Sequence, residues 1–265
     1  MAENVLEGAY DELRAAAAEI EANAAFVELA TSLRPRMGRY LAWDRLLDPD
    51  RTLVTQFMGL SCNVPVSYEG LYLRLVASFE AFVRRAVRDS VHSLNGSKIC
   101  FANLREVIRN RNRHCVGRAL ATVYEPVDFL QLDFDRLCVE VGTCVPSAPS
   151  VTLSADAFAM AVGSASVDRI EGAFKLLGKD LQWDELGHSE DLKKALGTKK
   201  PRDTANAAKG RIGEIQIRRN AFAHTGVGAG AISAEDIRAT ALFLVALACE
   251  LKRQLETHVV ALCKV

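Results

Sequence analysis

Apolar residues recur at spacings of three and four along most of the chain, and this predicts helices. Leu6, Tyr10, Leu13, Ala17, Ile20, Ala24 and Val27 form a narrow seam, so one long helix is expected over 4–33. Ala17 and Ala24 are small enough to let another helix approach closely, either in the bundle or across a dimer. Arg34-Pro35 is expected to end this helix, because proline restricts the residue before it. A short helix over 36–47 and a turn at Asp48-Pro49-Asp50 follow. Residues 51–70 read as irregular, punctuated by Pro65 and Gly70. Tyr72, Val76, Phe79, Val83, Val87 and Val91 then predict a strong helix over 71–94, closed by Asn95-Gly96. Leu104, Val107, Ile108, Cys115 and Ala119 anchor another over 101–121. The last helix is expected over Ser233–Leu262, with Ser233 as N-cap and Asp236 in capping-box position.

The stretch 122–200 has a weaker pattern. Tyr124–Leu137 is apolar and acidic by turns, and Val139–Val151 has the composition of a short strand or an extended loop. Ser154 and Ser189 are placed to cap helices reaching 162 and 196, the second stopped by Gly197. Val167–Leu177 predicts a further helix, and Trp183 reads as a packing anchor. The fold class is therefore all-α, with a long N-terminal helix and a partly irregular insertion around 125–200.

One stretch combines a helical pattern with reactive side chains. In Arg211–Gly226, Ile212, Ile215, Arg219 and Phe222 share one face, so a permanent charge sits on a packing stripe. Glu214 and Arg218 are spaced to pair on the solvent side. Asn220 and His224 share a face, and Thr225-Gly226 is expected to stop the helix. Arg219 and His224 are five apart, about 140° around an ideal helix. They converge if the last turn relaxes, if the arginine reaches round, or if two copies of the helix meet. Glu80 lies at the edge of the 71–94 stripe and needs a partner, because an unpaired buried carboxylate is costly. Arg84, one turn away, is the first candidate partner, and Arg219 is the second.

The order Arg219-Asn220-x-x-x-His224, Gly226 and a long apolar helix resembles the HEPN superfamily. The stretch 71–91 resembles the earlier HEPN helix that carries an acidic residue. Together they resemble the RiboL-PSP-like branch over roughly 68–120 and 205–260. The bare spacing also occurs at Arg109/His114 and Arg253/His258. Only the copy at 219–224 has small residues inside it, a Thr-Gly stop and an apolar helix behind it.

The resemblance implies a HEPN-like helical bundle over 61–265, with residues 1–60 as a helical extension packed on it or dimerising it. It further implies a metal-independent endoribonuclease acting through the ribose 2′-OH of RNA. Arg219, Asn220, His224 and Glu80 would form the catalytic set. Such enzymes build one cleft from two copies of the motif, so a homodimer is implied. Service in toxin–antitoxin or antiphage defence, with an antitoxin or other defence-system subunit as partner, is a further implication. The alternative is a non-catalytic HEPN-like module that binds nucleotide, RNA or a protein.

Composition bounds these expectations. The formal net charge of the 265 residues is zero, so RNA must be held by local patches. Arg218, the basic pair Lys199-Lys200, and Arg109 and Arg113 within an arginine-rich helix are the candidate RNA-binding residues. Seven scattered cysteines without a Cys-x-x-Cys pair suggest reduced thiols. No cofactor motif or metal-ligand spacing is present, and no apolar run is long enough for a membrane span. A cytoplasmic protein without a secretory leader is expected.

Overall fold

The computed structural model describes residues 6–41, 47–59, 64–97, 99–123, 132–147, 150–225 and 232–264; the side chains of His224 and Thr225 lie outside the described residues. The described residues form eleven helices and no strand. They are α1 (Glu7–Leu41), α2 (Asp48–Gly59), α3 (Val64–Gly96), α4 (Glu106–Thr122), α5 (Phe134–Gly142), α6 (Ala155–Ala161), α7 (Val167–Leu176), α8 (Trp183–Leu186), α9 (Glu190–Leu196), α10 (Pro201–Thr225) and α11 (Ala234–Cys263).

Helix α3 is the axis of the bundle. It packs against α1, α6, α7, α10 and α11. Its stripe of Tyr72, Val76, Phe79, Val83, Val87 and Val91 is buried, as the spacing predicts. Leu13, Ala17, Ile20 and Ala24 of α1 face this core, and so do Ile237, Leu244, Leu251 and Leu255 of α11. Salt bridges stitch the outside of the α1 contact, from Arg74 to Glu19 at 2.8 Å, from Arg85 to Glu12, and from Lys252 to Glu7.

Several boundaries differ from the sequence expectation. Helix α1 does not stop at Arg34; it runs through Pro35 to Leu41. The proline lacks the N–H that would bond Thr31, a local loss that ends a helix only if nothing holds the next turn. Here Arg34 donates from Nη2 to the Met58 carbonyl at 2.7 Å, and Gly38 packs near Met58. Asp48-Pro49-Asp50 opens α2 rather than forming a turn. Proline suits the start of a helix, and acids there complement its dipole. The stretch 51–70 is correspondingly helical, except for 60–63, which lie outside the described residues; Pro65 sits in the first turn of α3. The helix expected from 101 starts at Glu106, because Asn103 and Leu104 donate to the Cys100 carbonyl in a preceding turn.

Of the stretch 122–200, residues 124–131, 148 and 149 lie outside the described residues, and the rest is more helical than expected. Where a strand or loop was considered, α5 runs to Gly142, and Thr143 then bonds both backbone groups of Thr152. Ser189 caps α9, Gly197 ends it in the left-handed conformation at φ 64°, and Ser233 with Asp236 forms the full capping box of α11. Trp183 is the expected anchor, its ring N–H donating to Glu171 at 2.8 Å. Gly187 lets the chain cross the start of α10, since a Cβ there would collide with the Pro201 carbonyl.

Candidate active site

The motif helix α10 begins at Pro201 and lies along α3, α8 and α9. Its inward face is the expected one: Ile212, Ile215 and Phe222 are buried, and Arg219 is half-buried between them. Phe222 meets Tyr72 of α3 edge-to-face, with ring centroids 5.9 Å apart and planes at 76°. Burial raises the Tyr72 phenol above its ordinary value, so it stays a neutral packing ring. This contact seats the last turns of α10 on the first half of α3.

Glu80 lies about two turns further along α3 and is buried. Its Oε2 is 3.9 Å from Arg219 Nη2, and its Oε1 accepts from the Ala165 N–H at 3.4 Å. Arg84 is close as well. Burial pushes its guanidinium below the ordinary value, and the Glu80 charge offsets part of that. Both candidate partners therefore surround one carboxylate. Arg219 also donates from Nη1 to Asn220 Oδ1 at 3.3 Å. Its side chain is 33% exposed, so the fork is held on one side and open to solvent on the other.

His224 continues α10 one turn beyond Asn220; its side chain lies outside the described residues, and so does the Gly226 stop. Arg218 does not pair with Glu214 as the spacing suggested. Glu214 pairs with Arg211 at 3.0 Å, while Arg218 Nη1 reaches Asp236 Oδ1 at 3.5 Å. Arg218 is drawn across to α11, and Arg211, itself held to buried Thr240 of α11 at 3.1 Å, takes Glu214 instead. Burial raises Asp236, but hydrogen bonds from Ser233 and the charge of Arg218 outweigh it and hold the carboxyl below its ordinary value. The capping box was legible in the sequence; its use of Arg218 was not, because that contact crosses a connection between two helices.

The other candidate residues are not brought to this site. Lys199 and Lys200 are exposed at the far end of α10, about 27 Å along the helix from Arg219. Arg109 and Arg113 lie on α4, which packs on α5, α6 and α7. Arg109 donates to the Phe101 carbonyl at 3.1 Å and covers its ring at 4.3 Å; Arg113 donates to the Cys144 carbonyl at 3.2 Å. Arg105 does the same for Gly178 at 3.1 Å. This arginine row fastens loops to α4.

The three copies of the Arg/His spacing are thus in different settings. His114 is exposed on α4. His258 lies 2.8 Å from the Leu177 carbonyl, with burial lowering its affinity for a proton, and Arg253 pairs with Glu250. Of the three arginines Arg109, Arg219 and Arg253, only Arg219 faces a buried carboxylate of another helix. Among the described residues, no group of three or more His, Cys, Asp or Glu side chains is arranged to hold a metal, and no helix is long and apolar enough to cross a membrane. Comparison of the chain with family models, with curated proteins and with solved structures finds no match.

Proposed function

We propose that this chain is a metal-independent endoribonuclease of HEPN type, with Arg219, Asn220 and His224 as its reactive set. The observation that carries the reading is the placement of Arg219. A guanidinium on an otherwise apolar stripe, steadied by buried Glu80 and by Asn220, keeps an open edge on the helix that carries His224 five residues further on. A planar fork held this way suits the non-bridging oxygens of a phosphodiester.

RNA supplies its own nucleophile. His224 takes the proton from the ribose 2′-OH as that oxygen attacks phosphorus, a task matched to an imidazole whose unperturbed pKa is about 6.5. Arg219 stabilises the doubly charged phosphorane through its fork. The bond from phosphorus to the 5′ oxygen breaks, and that oxygen takes a proton from water as it leaves, while the imidazolium of His224 returns its proton to solvent. The products are a 2′,3′-cyclic phosphate and a 5′-OH. Glu80 keeps Arg219 in place, and Asn220 orients the guanidinium. Arg218, held by Asp236, borders the site; Lys199 and Lys200 lie too far along α10 to contact the same phosphate, and Arg109 and Arg113 are engaged by the Phe101 and Cys144 carbonyls.

A second reading is supported by the same ion pair. Arg219 neutralises a buried acid, which is a sufficient structural reason for its presence, and a helical module that only binds RNA, nucleotide or protein would keep it. Incubation with tRNA, rRNA and single-stranded oligonucleotides in excess chelator separates the two. Cleavage to cyclic phosphate ends supports the ribonuclease; binding without turnover supports the module. A role in toxin–antitoxin or antiphage defence, with its partner subunit, rests on the resemblance alone.

A further inference from the structure

The connection between α6 and α7 passes beside the candidate site, and its side chains take no part in the chemistry described above. It reads Val162-Gly163-Ser164-Ala165-Ser166. The Ala165 N–H reaches Glu80 Oε1 at 3.4 Å, and α7 packs on both α3 and α10. The loop is therefore fixed next to the carboxylate that Arg219 faces. Val162 and Ala165 are buried and anchor it, while Ser164 between them is exposed. Ser166 is the N-cap of α7, yet its hydroxyl makes no capping hydrogen bond. Two serine hydroxyls thus flank the residue that touches Glu80.

Arginines converge on this loop from three helices. Arg219 comes from α10, its Nη2 3.9 Å from Glu80 Oε2. Arg84 comes from α3, half-buried, four residues after Glu80 and on the same face of that helix. Arg169 comes from α7 and is exposed. A Cβ added at Gly163 would lie 3.5 Å from Arg169 Nε, so this side chain lies against the loop. Against these guanidiniums stand the carboxylates of buried Glu80 and of exposed Asp168 in the first turn of α7. Asp156 of α6 and Glu171 of α7 are engaged elsewhere, by Arg88 at 2.7 Å and by the Trp183 ring N–H at 2.8 Å. The loop is left with a surplus of positive charge, which favours an anion. A guanidinium carries five N–H donors, so one already engaged within the chain still has donors for a phosphate, and its planar fork suits one. The serine hydroxyls add neutral donors beside it.

We propose that Arg84, Arg169, Ser164 and Ser166 form a second phosphate subsite, which holds a phosphate of the same RNA strand next to the one at Arg219. The proposal rests on the ribonuclease reading for placing RNA at Arg219. It adds what the substrate must contain, namely two consecutive phosphodiesters. Arg84 and Arg169 belong to the α3 and α7 walls, whereas Arg219 belongs to α10, so the two sets grip different phosphates of the strand. The residues of the subsite position the strand and move no proton.

Calorimetric titration of the full chain with uncleavable 2′-O-methyl RNAs tests it. A dinucleotide offers one phosphodiester and a trinucleotide offers two. The parent should bind the trinucleotide about tenfold more tightly, the scale of one charge-assisted contact. A neutral methylphosphonate at one of the two trinucleotide linkages should remove that gain. Arg84→Gln and Arg169→Gln should each weaken trinucleotide binding severalfold and dinucleotide binding far less, whereas a general loss of structure would weaken both alike. Arg169 is exposed, so its variant keeps the test open if Arg84→Gln disturbs the packing around Glu80. Arg39→Gln, at an exposed position near the end of α1, should match the parent on both RNAs. A parent that binds the two RNAs equally, or binds neither, overturns the proposal, and so do variants that keep the parent's preference for the trinucleotide. Cleavage of unmodified RNA is read separately. A parent that cuts RNA without this preference overturns the subsite and spares the ribonuclease. A parent that shows the preference but cuts nothing in chelator overturns the ribonuclease and leaves the subsite to a binding module.

Discussion

Arg219 of α10 and Glu80 of α3 stand 3.9 Å apart across the interface between the motif helix and the central helix. The contact is longer than a hydrogen bond, and the two partners are unequally buried, with side-chain exposures of 33% and 9%. Losing the arginine therefore costs more than losing the acid. Arg219→Ala leaves a buried carboxylate with only Ala165 and Arg84 to compensate it, and should cost about 1–3 kcal/mol. Glu80→Gln leaves a guanidinium that water can reach, and should cost at most about 1 kcal/mol. Arg219→Lys keeps the charge without the fork, and should restore stability better than cleavage. Urea unfolding of the three variants beside a cleavage assay measures both quantities. Equal stability losses for Arg219→Ala and Glu80→Gln would contradict this asymmetry.

The Arg218–Asp236 pair should make stability depend on pH in the acid range. Asp236 is held below its ordinary value in the folded state, by Ser233 and Arg218 acting against burial. Such a group contributes stability that is fully present above its unfolded pKa of about 3.9 and is lost as pH falls through the folded value. Asp236→Asn should therefore be less stable than the parent at neutral pH, and the gap should close below about pH 4. Thermal unfolding across that range checks it; a gap that persists at low pH would show that Asp236 acts only as a neutral cap.

His258 should act in the opposite part of the range. Burial lowers its proton affinity in the folded protein, against the partial support of the Leu177 carbonyl. The unfolded chain then takes up a proton first as pH falls through about 6.5, and folding stability decreases. His258→Gln should remove this dependence and leave any cleavage unchanged, because the side chain serves the α7 end of the bundle. Denaturation midpoints between pH 5 and 8 report the first effect. A cleavage defect in His258→Gln would move the candidate site to the third copy of the spacing.

The arginine row of α4 should behave as a set of fasteners. Removing Arg109 or Arg113 leaves the Phe101 or Cys144 carbonyl short of a donor and should cost about 1 kcal/mol each. Arg111→Ala, at an exposed position of the same helix, should cost less than about 0.5 kcal/mol. Chemical denaturation of the three single variants distinguishes fasteners from a phosphate track. In a track, the variants would share unchanged stability and a flatter salt dependence of RNA binding.

Residues that bury a regular stripe were legible in the sequence. The seams of α3, α10 and α11 emerge at the expected positions because local spacing and tertiary packing demand the same face. Pro35 and Asp48-Pro49-Asp50 misled, since proline forbids a hydrogen bond but does not say whether later contacts outweigh the loss. Arg34 and Gly38, meeting Met58, supply those contacts from a distance of some twenty residues. At the candidate site, the charge on the packing stripe and its need for a partner could be read from spacing alone. Spacing also named Arg84 and Arg219 as alternative partners of Glu80; that both stand by the one carboxylate, with the Ala165 N–H as a further contact, could not be read, because three segments of chain meet there. The arginines of α4 look alike in sequence, and only the loops they reach reveal their task.

The most direct test of the functional account is the cleavage rate of His224→Ala in excess chelator, measured on RNAs that the parent cuts. His224 lies at the end of α10, one residue from the last helical position, where substitution should leave the fold and its assembly intact. The account requires a loss of roughly two orders of magnitude or more, the scale of a missing general acid–base. Arg219→Ala should show a comparable loss, and the double variant should be little worse than either single one, because the two groups act as a unit. Near-parental cleavage by His224→Ala would contradict the ribonuclease assignment of this helix and leave the binding module as the better account.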